Sequence, residues 1–121
     1  MNNTPTEFEE CRTLVHYLTL KNVLFTHIHN EMYTKSWKQK KKAHDLGVSS
    51  GFPDYFIFIP KDKSKTKKAE CLFIEMKRKK GGVVSKNQKV WLENLATHKD
   101  LHVAVCKGFD EAKTFCDVYM K

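Results

Sequence analysis

Two uninterrupted apolar runs, YFIFIP at Tyr55 to Pro60 and CLFIEMK at Cys71 to Lys77, constrain this chain more than anything else in it. Each has the length of a β-strand and is rich in β-branched and aromatic residues. Neither alternates with polar residues, which predicts strands covered on both faces. The segment between them, KDKSKTKKAE, reads as a charged, mobile hairpin connection. The two runs then lie side by side in one sheet.

The flanking segments supply helices and further strands. TEFEECRTLVHYLTLK carries Leu14, Val15, Leu18 and Leu20 at helical spacing, with acids in its first turn, where the helix dipole favours them. Thr6 and Glu9 have the spacing of a capping box. VLFTHIH, Val23 to His29, predicts a strand ended by Asn30-Glu31. SWKQKKKAHDLG, from Ser36, predicts a basic helix stopped by Gly47. SKNQKVWLENLATH opens on a Ser85/Gln88 capping box and carries Val90, Trp91, Leu92 and Leu95. Leu101 to Lys107 is a further strand, and DEAKTFCDVYMK a last helix capped by Asp110. The expected fold class is α/β: one domain over residues 1–121, a small mixed β-sheet flanked by helices.

Polar residues at the ends of the two runs carry the chemistry. Side chains alternate along a strand, so Glu75 and Lys77 share a face while Met76 points to the other. Asp54 opens the preceding strand. If the two strands pair, two carboxylates and an ammonium meet at one end of the sheet. Carboxylate oxygens suit a hard cation such as Mg²⁺, which keeps waters and accepts substrate phosphates. A bound cation acidifies a water and offsets charge on a phosphodiester, and the lysine orients that water or stabilises an oxyanion. A lone E-x-K is ordinarily a surface ion pair. Pro-Asp before one strand and E-x-K on the next favour the catalytic reading in a basic protein.

Charge agrees with an anionic partner. The net charge is +8, from 22 Lys and Arg against 14 Asp and Glu. Fourteen of the 22 fall between Lys35 and Lys80, against five acids. Such an excess fits a nucleic acid, whose counterions are released when its phosphates are neutralised. Lys79, Lys80, Lys86 and Lys89 flank the proposed site and suit phosphate contacts. Lys35, Lys38 and Lys40 to Lys42 either grip a duplex arm or are simply solvated. No apolar run approaches the ~18 residues of a membrane span. MNNTPTEFEECR lacks the basic and apolar regions of a signal peptide, so the expected location is intracellular. Cys11, Cys71, Cys106 and Cys116 show no zinc spacing and read as small buried apolar residues. His27 and His29 share a strand face without an evident third metal ligand. Trp91 reads as core rather than as a base-stacking platform. Gly51 and Gly81-Gly82 read as turn glycines, with Gly82 also able to admit a DNA backbone.

The ordered set G-F-P-D at Gly51 to Asp54, F-I-E-M-K at Phe73 to Lys77, Gly81-Gly82, S-x-x-Q at Ser85 to Gln88, and Trp91-Leu92 resembles the VRR-NUC domain, a branch of the PD-(D/E)xK nuclease superfamily. The resemblance runs from about Glu7 to the last helix and is strongest to stand-alone phage and viral members. It implies a restriction-endonuclease-like fold and metal-dependent hydrolysis of branched DNA. It maps metal ligands onto Asp54, Glu75 and the Met76 carbonyl, the catalytic lysine onto Lys77, and a supporting glutamine onto Gln88. A helix glutamate completes the set: Glu7 by spacing, with Glu10 one turn on as the alternative. Relatives often carry Gln where Cys11 stands. Asn30 and Glu31 match a polar pair implied to face DNA, and Ser85 is likewise expected to contact DNA. The cofactor implied is Mg²⁺ or Mn²⁺. The single-domain relatives resolve Holliday junctions as homodimers, which is the activity expected here. The alternatives are a flap or other branched-DNA nuclease, or a DNA-binding module on the same fold that does not cut.

Overall fold

The computed structural model describes residues 4–29 and 36–121. Helix α1 (Glu7–Lys21) leads into strand β1 (Leu24–His27); α2 (Trp37–Asp45) follows, then β2 (Tyr55–Ile59), β3 (Glu70–Lys77), α3 (Lys86–Ala96), β4 (Leu101–Lys107) and α4 (Phe109–Tyr119). The sheet has the order β1-β2-β3-β4. The first three strands run antiparallel and β4 runs parallel to β3. A parallel neighbour needs a long crossover, and α3 supplies it. The result is the expected mixed sheet with helices. Asn30, Glu31 and Lys35 lie outside the described residues.

Local signals set most element ends. Thr6 caps α1 through the predicted box with Glu9, and Ser85 caps α3 through its box with Gln88. Ser36 caps α2, and Gly47 follows it with φ of 84°. The core lies between the sheet and the pair α1 and α4. Leu14 and Leu18 meet Ile57, Ile59, Leu72, Ile74, Ala112 and Cys116, all inaccessible to solvent. Alternation along β2 and β3 buries every second residue on this face.

Three expectations are corrected. The two apolar strands are fully covered on one face only. On the other, Phe56, Phe58 and Phe73 are half-buried, partly shielded by Phe52 and Trp91, whose rings stand 4.8 Å apart. Trp91 is thus a half-buried packing residue. The connection 61–70 is pinned rather than loose. It forms a 3₁₀ turn at Lys61–Lys63, buries Ser64, and bonds to the chain's end through Lys65 N–H to Tyr119 (2.8 Å) and Lys121 N–H to Lys63 (2.9 Å). Its charge signalled exposure, but the backbone partners lie some fifty residues away in sequence. Asp110 is not the cap of α4. Gly108 holds that position at φ of 91° without a side-chain cap, and the Phe109 N–H donates instead to Oε2 of Glu10. Of the cysteines, Cys106 and Cys116 are buried, while Cys11 and Cys71 are half-buried; all four are free thiols.

Candidate active site

The register places the carboxylates. Tyr55 pairs with Ile74, so one further step of the antiparallel ladder sets Asp54 opposite Glu75. Asp54 still belongs to the sheet through its backbone, whose carbonyl accepts from the Ile28 N–H at 2.7 Å. Its side chain folds across β3, with Oδ2 accepting from the Met76 N–H at 2.8 Å. A residue in an extended strand sends its N–H and C=O to the same edge, so the Met76 carbonyl faces the Asp54 side. Glu75 is 2% exposed. Its Oε2 accepts from the Gln88 amide at 3.0 Å and lies 3.4 Å from the Lys77 ammonium.

Gln88 does two jobs at once. Its Oε1 accepts from the Ser85 N–H at 2.8 Å, closing the capping box, while its Nε2 reaches Glu75. The box therefore fixes the rotamer that aims the amide at the carboxylate. Gly51 brings the loop before Asp54 against the same helix. A Cβ there, at φ of 92°, would lie 2.6 Å from the Asn87 carbonyl carbon and 2.8 Å from the Gln88 nitrogen. Asn87 Nδ2 also donates to Ser50 at 2.6 Å. The close approach at Gly82 is to Lys77, whose Cβ would lie 2.9 Å from an added methyl group.

The Asp54 and Glu75 carboxyls lie close enough to shift each other's titration. Burial, then the Asp54 charge, pushes the Glu75 carboxyl up to about 8, against a smaller opposing pull from Lys77. Burial likewise raises Asp54, opposed by the Met76 N–H. Below about 8 the folded chain thus keeps a Glu75 proton that the unfolded chain gives up above its ordinary value of 4.5. That contribution to stability is complete below the unfolded value and disappears as pH rises through the folded one. Thermal melts in EDTA between pH 5 and 9 should therefore show wild type losing stability toward pH 8 more steeply than Glu75→Gln, which lacks the titrating group. Equal slopes for the two proteins would refute the shift.

Two neighbouring carboxylates are a donor set that could hold a divalent cation. Glu75 Oε1 is buried and has no hydrogen-bond donor, although Oε2 has two partners. An anionic oxygen left so, beside a second carboxylate, needs a proton or a cation. Among the described residues, no three His, Cys, Asp or Glu side chains converge as a metal cluster. Mg²⁺ needs only one or two carboxylates, with waters and phosphates completing its shell. The helix glutamates part company. Glu7 lines a cleft of about 1270 Å³ together with Asp54, Glu75, Lys77 and Gln88. Glu10 is absent from that lining; buried at 5% exposure, it holds the start of α4 and faces Lys79 at 4.0 Å. Cys11 lines the cleft as a neutral thiol, raised to about 11 chiefly by burial.

The expected DNA-contacting residues divide. Lys80, Ser85, Lys86 and Lys89 are exposed. Lys79 is held by acids, 3.7 Å from Asp110 as well as near Glu10. Asn30 lies outside the described residues. The Glu10–Phe109 joint escaped sequence reasoning because its partners are 99 positions apart; the Gly51 contact was legible only as a turn glycine.

The VRR-NUC domain family model matches residues 6–110. A solved structure titled "VRR_NUC domain protein" superposes with a TM-score of 0.70, covering 98% of this chain and 90% of that one at 21% identity. That likeness supports the fold. No curated protein matches.

Proposed function

This chain belongs to the VRR-NUC domain family, a nuclease type that acts on DNA, and on that premise we propose that it is a metal-dependent, structure-specific endonuclease. The observation that carries the metal dependence is the donorless, buried Glu75 Oε1 beside Asp54. Asp54, Glu75 and the Met76 carbonyl would hold Mg²⁺ or Mn²⁺, with Glu7 on the cleft wall. When bound, such a cation acidifies a water and offsets charge on the phosphodiester. The chain's own residues prepare that chemistry. The Met76 N–H fixes Asp54, and Gln88 fixes Glu75. Lys77, its side chain 13% exposed, brings a positive charge to within 3.4 Å of Glu75. From there it stabilises negative charge growing on the phosphate oxygens or orients the attacking water. Burial strengthens that interaction by excluding competing solvent.

The preferred substrate in this reading is branched DNA, specifically a Holliday junction cut by a homodimer. A two-fold pair of sites faces the two strands of a symmetric junction that must both be cut. The support is the family's single-domain members. Flap cutting and binding without cutting are the competing readings, and one assay separates them. A labelled four-way junction, a 5′ flap and a linear duplex are incubated with Mg²⁺, Mn²⁺ or EDTA, using wild type and Asp54→Ala. Paired cuts in the junction, absent with EDTA and in the variant, are expected. Cuts confined to flaps would keep the chemistry and remove the junction. Metal-independent binding with no cut on any substrate would overturn the nuclease reading.

A further inference from the structure

The cleft does not end at the carboxylates. It continues between α1 and the β1 edge, along residues for which the hydrolysis has no use. On α1 the wall presents Phe8, Arg12 and His16, spaced four apart and so on one helix face. At ~1.5 Å per residue this row runs about 12 Å. Phe8 is 70% exposed, an unusual place for a large aromatic ring, and the Arg12 guanidinium stands over it at 5.9 Å. Across the cleft stand His27 and His29, both exposed, their rings perpendicular with centroids 4.5 Å apart. His27 in turn abuts the Tyr55 ring at 5.0 Å, next to Asp54.

Charge is graded along this wall. Glu7 and Glu9 sit in the first turn of α1, and the rest of the helix's cleft wall, with Arg12 and His16, carries no acid. A polyanion whose reacting phosphate sits at the carboxylates would find its neighbouring phosphates beside Arg12 and His16. The alternation of exposed rings with nitrogen donors is the composition that holds single strands, because stacking needs open base faces that a duplex conceals.

We propose that the α1–β1 wall holds an unpaired DNA strand leading to the cleaved phosphodiester, with Arg12 and His16 on its phosphates and Phe8 and the His27–His29 pair against its bases. The proposal rests on the nuclease reading and specifies which part of a branched substrate that site grips. A branch point offers such unstacked bases, whereas a continuous duplex does not.

Fluorescence anisotropy in EDTA tests it on the full chain, with a labelled single-stranded oligonucleotide and a blunt duplex of the same length as probes. Loss of one stacked base and one phosphate contact is expected to weaken single-strand binding by Phe8→Ala/Arg12→Ala about tenfold or more. Duplex binding should weaken by a clearly smaller factor. His27→Ala/His29→Ala should show the same preference for harming the single strand. Equal losses on both probes, or none on either, would overturn the proposal. Circular dichroism melts identify a misfolded variant, for which Arg12→Gln, keeping the stem but not the charge, supplies the single-strand comparison and its salt dependence. The two readings fail separately. Wild type that cuts branched DNA while the wall variants bind and cut as it does sinks the strand track alone. Wild type that binds single strands through the wall and never cuts sinks the nuclease.

Discussion

Replacing Lys77 with alanine is expected to slow DNA cutting about 10²- to 10³-fold, the usual cost of removing one buried charge-stabilising group. That corresponds to roughly 3–4 kcal/mol of transition-state stabilisation. DNA affinity should stay within a few-fold, because the Lys77 side chain is only 13% exposed and offers little to a groove or backbone. The carboxylate pair remains, so Mn²⁺ binding should persist and be measurable by titration calorimetry. Lys77→Arg is expected to rescue little. A planar guanidinium is bulkier than an ammonium and must fit the same 3.4 Å contact with Glu75, where Gln88 already occupies the other side of Oε2. Single-turnover rates on the best substrate, measured with binding curves in EDTA, check both halves of this expectation. A Lys77→Ala protein that cuts at the wild-type rate would remove the lysine from the mechanism. One that fails to bind DNA would make it a binding residue instead.

Gly51→Ala should be the most damaging single methyl group that the chain can gain near the site. The new Cβ would lie 2.6 Å from one backbone atom of Asn87 and 2.7 Å from another, with no flexible side chain to give way. The residue also holds φ of 92°, which an L side chain adopts only under strain. Overpacking costs ~1–3 kcal/mol and the backbone strain adds ~1 kcal/mol, so about 2–4 kcal/mol of stability should be lost. For a chain of this size that lowers Tm by roughly 10 °C. Activity should fall further than stability explains, because the contact sets the first turn of α3, where Gln88 reaches Glu75. Thermal melts and cutting rates measured well below the lowered Tm separate the two effects. Gly47→Ala is the matched control, since it shares a positive φ but meets nothing within 4 Å. A Gly51→Ala protein as stable and active as that control would show that the approach to α3 carries no weight.

What could be read from the chain alone follows from the range of the forces involved. The caps of α1 and α3, the span of β4 and the alternation of Glu75 and Lys77 depend on residues within a few positions of one another. They were therefore legible, as were the sheet class and the approach of Asp54 to Glu75. The coverage of β2 and β3 is not legible there, because a run of apolar residues does not say which face receives helices. Nor is the anchoring of the connection 61–70, whose charge reports solvation while its partners are at the chain's end. Thr6 and Glu9 show the other limit: their box fixes where α1 starts, yet not which of the two remaining glutamates enters the cleft.

Tertiary structure made that choice. Glu10 turns toward the start of α4 because Gly108 leaves the Phe109 N–H uncapped, and Glu7 is left to line the cleft. The same packing lets one amide of Gln88 close a capping box and hold a carboxylate, and sets Arg12 and His16 across from His27 and His29. Local geometry and composition were enough for most elements, for the motif and for its polarity, since each rests on residues close together in the chain. Which side chains join Asp54 and Glu75 in the cleft was settled by the folded chain, because that depends on contacts between α1, β1 and the sheet that no local pattern encodes.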